Sequence, residues 1–322
     1  MKILMITTND PAGMTIAFAN AINRYTEHTA RAITTDSKYN VNFEHDIHIP
    51  AIPDDDFSEV EHLLKTADIF HFHIMADENA LLGPLLMRDY IKGKKILHHH
   101  HGHPNFIINA GQFIEKYRKL GRRTAVSTPD LLKTLPGSVW LPNLVPIKDV
   151  QFMPWDGGEP STGTIRVCQA PTRKFHKDTK TFINVMSEIT RENPRAETVI
   201  IENLPYFECL EEKRRCHIVF DHMQGHFGIA SLESLSQAKP VIAGLDDWNI
   251  EQITKFTGVD YVPWVVARNA DELRKSITDL INDDARRLET GLAARRYMEQ
   301  YWTEQHAIKV LLDLYEELPE EK

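Results

Sequence analysis

The sequence predicts an α/β protein of two doubly wound halves facing a central cleft. Three observations predict it. Short apolar runs alternate with stretches of helical spacing, the alternation stops once in a segment dense in Pro and Gly, and it then restarts.

In the first half the strand candidates are KILMIT, RAIT, DIFHFHI, KKILHH and RRTAVS. Between them TIAFANAINRY, FSEVEHLLKT, NALLGPLLMRDYI and NFIINAGQFIEKYRKL carry apolar residues at three- and four-residue intervals, the period of a helix face. Strands separated by helices pair in parallel and bury both faces of their sheet. The pause spans residues 140 to 163, WLPNLVPIKDVQFMPWDGGEPSTG, where periodicity is lost. Beyond it TIRVCQA, ETVIIEN, HIVFDHM, KPVIAGL and YVPWVV read as strands. KTFINVMSEITREN, YFECLEEKRR, the segment around Glu233 and NIEQITKF read as the helices between them. From Asp271 the chain is mostly helical: DELRKSITDLIND, ARRLETGLAARRYMEQYW and TEQHAIKVLLDLYEEL. The expected domains are residues 1–145 and 164–300, joined by a linker over 146–163 and closed by a helix over 301–322 that turns back towards the first domain.

Composition narrows the function. A chain of 322 residues exceeds one ordinary core, which agrees with two domains. The net charge of -9 argues against nucleic acid as a partner, because such binding runs on excess Lys and Arg. Three cysteines, Cys168, Cys209 and Cys216, form neither an even disulfide set nor a metal-type spacing, and suggest reduced thiols. MKILMITTND is too short an apolar burst for a signal peptide, and no run approaches a membrane span. The expectation is a cytoplasmic protein. No basic amphipathic helix stands out in the first half, so any membrane contact is expected to be at most peripheral.

Three segments could carry chemistry. The first is QGHFGIASLESLSQAKPVIAG, residues 224–244. Gly225 and Gly228 let the backbone approach a ligand closely, and a helix starting near Ile229 would aim free N–H groups at an anion. Glu233, one turn in, could accept hydrogen bonds from a ribose diol. A plain turn followed by a solvating glutamate would look the same. The second is CQAPTRKFHKDTKTF, residues 168–182, where Arg173, Lys174, His176 and Lys177 gather after a strand. Such cations could neutralise a diphosphate as it leaves, or could equally form a solvated basic loop. The third is KILHHHHGHP, residues 95–104. Strand alternation sends the side chains of His98 to His101 to opposite faces, so the four cannot serve one site. His71 and His73 end a neighbouring strand and share a face. A zinc site made from these strand ends is conceivable, but one or two histidines acting as hydrogen-bonding groups is the preferred reading. The first loop, TTNDPAGM, offers Gly13 at a helix start, with a plain βα turn as the alternative.

In order and spacing, these pieces resemble the retaining GT-B glycosyltransferases of the group-1, family-four-like kind, over most of the chain. HFGIASLESLSQAKPVIAG resembles that family's glycine-phenylalanine-glycine turn, glutamate-bearing helix and proline-valine strand. QAPTRKFHKDT resembles its donor-phosphate loop, and KILHHHHGHP its first-domain strand ending in histidine-glycine. AVSTPDLL and VWLPNLV are similar to its segments leading to the linker.

The resemblance implies two Rossmann-like domains and sugar transfer from a nucleotide-diphosphate donor to a hydroxyl, with retention of configuration. The acceptor would be a glycan, a lipid-linked molecule or a small molecule. It gives Glu233 the ribose, and Phe227, Gly228 and Ile229 the diphosphate or sugar. Lys177, with Lys174 or Arg173, would be the cationic pair. His101 would lie near the donor sugar, and Gly13 in the first-domain loop. No cofactor is implied, and the reaction is expected to be metal-independent, since lysines and a helix dipole can cover the diphosphate charge. Two departures stand out. The family's first glutamate, eight positions before Glu233, is Gly225 here, and its Lys-Gly pair is Lys177-Asp178. Two alternatives follow: a non-catalytic GT-B protein that binds nucleotide or glycan, and a nucleotide-sugar epimerase.

Overall fold

The computed structural model describes residues 1–36, 44–156, 159–160, 163–172 and 174–321. The chain divides into two compact units: residues 1–144 with 304–322, and residues 145–303.

In the first unit the elements run β1 (Lys2–Thr7), α1 (Met14–Tyr25), β2 (Thr29–Thr34), β3 (Ile47–His48), α2 (Ser58–Thr66) and β4 (Ile69–His73). A small hairpin follows, β5 (Leu81–Leu82) and β6 (Leu85–Leu86). Then come β7 (Lys95–His100), α3 (Pro104–Ile108), α4 (Ala110–Leu120), β8 (Arg123–Val126), α5 (Leu131–Thr134) and β9 (Val139–Trp140). Among the described residues the main sheet has the order β3-β2-β1-β4-β7-β8-β9, with every pairing parallel. β1 and β4 are buried along almost their whole length, as strands covered on both faces must be. One face carries Leu4, Ile6, Phe70 and Phe72 against Val60 and Leu64 of α2.

The segment 79–91 departs from the helix its spacing predicts. Gly83 takes a φ of +61°, and Leu81 pairs with Leu86 and Leu82 with Leu85 in an antiparallel turn. A Cβ at Gly83 would strike the Phe57 ring at 2.2 Å, and Pro84 lacks the N–H a continuing helix needs. The leucine spacing mimics a helix face that Gly-Pro interrupts.

The second unit runs β10 (Ile165–Gln169), α6 (Thr179–Glu192), β11 (Ala196–Ile200), α7 (Tyr206–Arg214), β12 (Ile218–Phe220), α8 (Ile229–Ser236) and β13 (Val241–Ala243). It continues through α9 (Asp247–Thr257), β14 (Val265–Val266), α10 (Ala270–Asn282) and α11 (Asp284–Tyr301). Its parallel sheet has the order β11-β10-β12-β13-β14. Phe182 of α6 stacks on Phe220 of β12 at 5.3 Å in the centre of its core. Three helices start on side chains that accept a first-turn N–H: Asp246 from Asn249, Asn269 from Glu272 and Asp283 from Arg286.

The last helix, α12 (Glu304–Glu316), belongs to the first unit. Its Glu304 accepts from Tyr25 at 3.0 Å and pairs with Arg24 at 3.4 Å, while Lys95 donates to the Tyr315 carbonyl at 2.9 Å. Both sheets reverse their strand order once, between β1 and β4 and between β10 and β12. In open parallel sheets, the crevice at such a reversal is where ligands bind, beyond the carboxyl ends of the strands. No helix among the described residues is long and apolar enough to cross a membrane.

Candidate functional site

In the second unit the two loops at the sheet reversal are residues 170–178, after β10, and 221–228, after β12. Gln169 ends β10 and ties them together: its side-chain amide donates to the carbonyls of Lys177 and Asp221. Asp178, at φ +53°, adds a second tie. Its carboxylate accepts from Met223 N and from the Gln224 side chain, both at 2.7 Å. The left-handed backbone at this position explains why a glycine suits it in the related motif, and the aspartate uses its side chain to brace the opposite loop. Gly225, at φ +84°, accepts through its carbonyl from Asp246 N at 2.8 Å, which fixes the turn to the segment after β13.

The decisive side chain is Asp221, at the carboxyl end of β12. It is buried at the start of α8 and accepts from Gly228 N at 2.6 Å, Ser231 Oγ at 2.8 Å and Lys177 Nζ at 2.6 Å. Burial opposes its charge. The Lys177 ammonium, His222 and the Gly228 N–H outweigh burial and hold the carboxyl well below the usual carboxylate range. Residue 228 offers no capping side chain, so Asp221 does the capping from a distance in sequence. Phe227 is buried against Trp264, 4.9 Å between ring centres, and anchors the turn. Ile229 opens the helix, and its N–H has no intrahelical acceptor by the geometry of a first turn. Lys174 points elsewhere, to Glu202 at 2.8 Å. Arg173 and the side chain of His176 lie outside the described residues.

Glu233 does sit one turn into α8 and is buried, as its setting in the sequence suggests. It is 3% exposed, and both its oxygens are engaged: Tyr206 donates to Oε1 at 2.7 Å, and Lys213 Nζ bonds Oε2. Burial opposes the Lys213 charge too, but Glu233 and the neighbouring Cys209 overcome it and raise its pKa above the ordinary lysine value. A ribose hydroxyl can reach this carboxylate only on its remaining lone pairs.

In the first unit Gly13 takes φ +65° at the start of α1. Here too a carboxylate fills the helix start. Asp10 Oδ2 accepts from Ile16 N at 3.1 Å, and burial pushes its pKa up to about 6 against the N–H groups of Ile16, Thr15 and Met14. His101 is half-buried and meets His73, Nε2 to Nδ1, at 3.1 Å. Burial, then the neighbouring His100, pushes its pKa down to about 3. Alternation separates the run as expected. His98 stacks on Phe72 and lies 3.5 Å from Glu78, and His100 bonds Tyr117 at 2.7 Å, while His99 and His101 share the other face with His71 and His73.

Sequence reasoning missed Asp221, Asp10 and Lys213. For Asp221 a signal existed: an acid directly after the apolar run IVF, at the carboxyl end of a strand beside the reversal.

No family model matches this sequence, and no curated protein matches it. Solved structures do. A sucrose-phosphate synthase from Thermosynechococcus elongatus is similar over 98% of both chains, at 15% identity and a TM-score of 0.61. HepE from Anabaena, in complex with UDP and glucose, is similar over 98% of both chains at 11% identity and a TM-score of 0.63. The fold is GT-B. A UDP-GlcNAc 2-epimerase from Neisseria meningitidis, bound to UDP-GlcNAc, shares it over 97% of this chain and 99% of its own, at 13% identity and a TM-score of 0.53. At these identities the likeness is one of fold, and both Rossmann-like units of the GT-B arrangement take part in it.

Proposed function

We propose that this protein is a glycosyltransferase that moves a sugar from a nucleotide-diphosphate donor to an acceptor hydroxyl with retention of configuration. The observation that carries the reading is the anion-holding geometry at the sheet reversal of the second unit. A lysine ammonium, a helix-start N–H and a serine hydroxyl converge there on one carboxylate, Asp221. The GT-B neighbours lend support, since HepE was solved with UDP and glucose.

On this reading Lys177 and the first-turn N–H groups of α8, starting at Ile229, neutralise the diphosphate as charge develops on it, beside the Gly228 N–H that holds Asp221. Lys174 and Arg173 are the candidates for a second cation on the same loop. Glu233, closed in by Lys213 and Tyr206, takes the ribose on its remaining lone pairs. In the first unit, Gly13 and His101 serve the sugar side, His101 as a neutral imidazole. Same-face attack assisted by the leaving phosphate accounts for retention without an enzymic nucleophile. The lysine and the helix start provide for the diphosphate charge, so no metal is assigned to this step.

The test is a thermal-shift panel of UDP, GDP, ADP and CDP, followed by incubation of the matching nucleotide sugars with sugar and lipid-linked acceptors. One nucleotide should raise Tm by mass action, and NMR of the product should show the donor's anomeric configuration. If no nucleotide at millimolar concentration raises Tm, the proposal is wrong. A second reading, nucleotide-sugar epimerase, draws on the epimerase that shares the fold. It predicts conversion of UDP-GlcNAc without any acceptor. Nucleotide binding with neither reaction would identify a non-catalytic GT-B protein.

A further inference from the structure

The first unit contains a second cluster that the proposed reaction does not use. β4 and β7 pair in parallel with His73 opposite His99 and His71 opposite Leu97. That register places the side chains of His71, His73 and His99 on one face of the sheet, and Phe18 of α1 covers His73 and His99 at ring distances of 6.4 and 6.0 Å. The three residues are 0%, 0% and 1% exposed. One nitrogen from each lies within 4.8 Å of the others.

Buried imidazole nitrogens are normally hydrogen-bonded, and an unpaired one is costly. Here His71 Nε2, His73 Nε2 and both nitrogens of His99 have no hydrogen-bond partner among the described residues. The other nitrogens are committed outward. His71 Nδ1 meets the Tyr315 hydroxyl at 2.7 Å, and His73 Nδ1 meets His101 Nε2 at 3.1 Å. A metal-bound histidine shows this division, one nitrogen on the ion and the other held by an outer partner that fixes the ring.

We propose that His71, His73 and His99 bind one divalent transition-metal ion of the imidazole-preferring class, for which Zn2+ is the reference member. Three nitrogens and no carboxylate exclude the oxygen-seeking Mg2+ and Ca2+. Zinc holds its nitrogen ligands at about 2.0–2.1 Å, so tetrahedral binding needs the three nitrogens roughly 3.4 Å apart. Ring rotation and a small inward shift supply the difference. The fourth position is open to water, while the His101 ring stacks on His73 at 5.3 Å and on His99 at 4.1 Å as outer packing. The ion would clamp β4 to β7 beneath α1 and α12. This site is separate from the diphosphate chemistry, so its test does not depend on whether the protein transfers sugars.

The full-length protein is stripped with a chelator, re-equilibrated with Zn2+ and passed through a desalting column, and its bound metal is counted. The expected result is one equivalent per chain and a raised Tm. With Co2+ in place of Zn2+, the expected signature is the intense visible absorption of a tetrahedral nitrogen site, read on the unmodified protein. His73→Gln and His99→Gln should each lower retention at least tenfold, while the exposed His62→Gln retains a full equivalent. The Co2+ spectrum of the wild type decides the matter even if the buried variants fold poorly. Retention below a tenth of an equivalent, a weak octahedral Co2+ spectrum, or full retention in both folded buried variants would overturn the proposal.

Discussion

Replacing Lys177 by Met tests what holds the Asp221 charge at the start of α8, and the burial-dominated Asp10 offers a comparison. Asp10 and Asp221 are both buried carboxylates at helix starts, both accepting from backbone N–H groups. At Asp10 burial is the largest influence and takes the pKa up to about 6 against the N–H groups of Ile16, Thr15 and Met14. Asp221 has Lys177 at 2.6 Å and lies well below the carboxylate range. If Lys177 holds the charge against burial, then in Lys177→Met the Asp221 pKa should rise above the ordinary 3.8, in the direction burial takes Asp10. The gap between 3.8 and about 6 alone corresponds to about 3 kcal/mol, and the lost depression adds to it. Breaking a buried pair from one side typically costs about 3–5 kcal/mol, the same order of magnitude. The sign follows from linkage. In the wild type, with the folded pKa lowered, the Asp221 contribution is present above about 3.8 and is lost as pH falls through the folded value. In the variant, with the folded pKa raised, the remaining contribution is present below 3.8 and is lost as pH rises through the new value. The stability difference between the two should therefore already be present at pH 4, grow as pH rises towards the variant's raised value and level off above it. Calorimetry from pH 4 to 7.5 measures that difference, and carbon-detected NMR of the Asp221 carboxyl reads its titration directly. A carboxyl still titrating below 3.8 in the variant, or a loss independent of pH, would show that the Gly228 and Ser231 donors hold the charge and that the lysine is incidental.

Asp10→Asn should stabilise the protein at pH 7.5 by about 1–3 kcal/mol, with the gain fading as pH drops through 6 towards 3.8, because a raised folded pKa penalises the charged form only above it. Denaturant unfolding at pH 4 and 7.5 reads both ends, and equal or lower stability at pH 7.5 would contradict the burial argument. Glu233→Gln and Lys213→Met should each cost about 3–5 kcal/mol, since each leaves a buried partner unpaired, whereas Glu233→Leu combined with Lys213→Met should recover most of the loss. Urea unfolding across this cycle checks it, and additive losses would deny the coupling. Gly228→Ala should weaken nucleotide diphosphate binding at least tenfold with little change in Tm. Its Cβ would sit 2.8 Å from Lys177 Nζ and 3.4 Å from the Asp221 oxygens, and the flexible lysine end is what gives way.

The fold was largely legible because parallel strands and amphipathic helices leave different periods in the sequence. It failed at 79–91, where four leucines and a methionine imitate a helix face, and the two residues that break it, Gly83 and Pro84, weigh little in any periodicity count. The candidate site was legible in outline only. Glu233 stands out as an acid in an apolar helix, but its partner Lys213 is twenty residues earlier, in YFECLEEKRR, where Lys213, Arg214 and Arg215 are indistinguishable by spacing. Only the packing of α7 on α8 selects the first of them. Asp221 and Lys177 are 44 residues apart and meet because β10 and β12 are neighbours, a fact of strand order that a linear reading does not contain.

That strand order also bears on how a ligand would enter. On the proposed function, an incoming diphosphate would meet a helix start whose nearest donors already serve Asp221, so binding would have to redistribute them. Lys177 has a partly open path, at 21% exposure, and can swing to the phosphate, whereas Gly228 N and Ser231 Oγ are fixed by the backbone of α8. Once Lys177 turns away, Asp221 loses its cation and gains an anionic neighbour, and both changes raise its pKa. Diphosphate binding should therefore take up a proton over a window that opens above the depressed free-state value and closes near the raised bound-state one. Calorimetric titration of the preferred nucleoside diphosphate at pH 5 in two buffers of different ionisation enthalpy measures that uptake, and Asp221→Asn should abolish it while tightening binding. Proton uptake that survives in Asp221→Asn, or identical heats in the two buffers for the wild type, would mean that the phosphate and the aspartate do not compete for the same lysine.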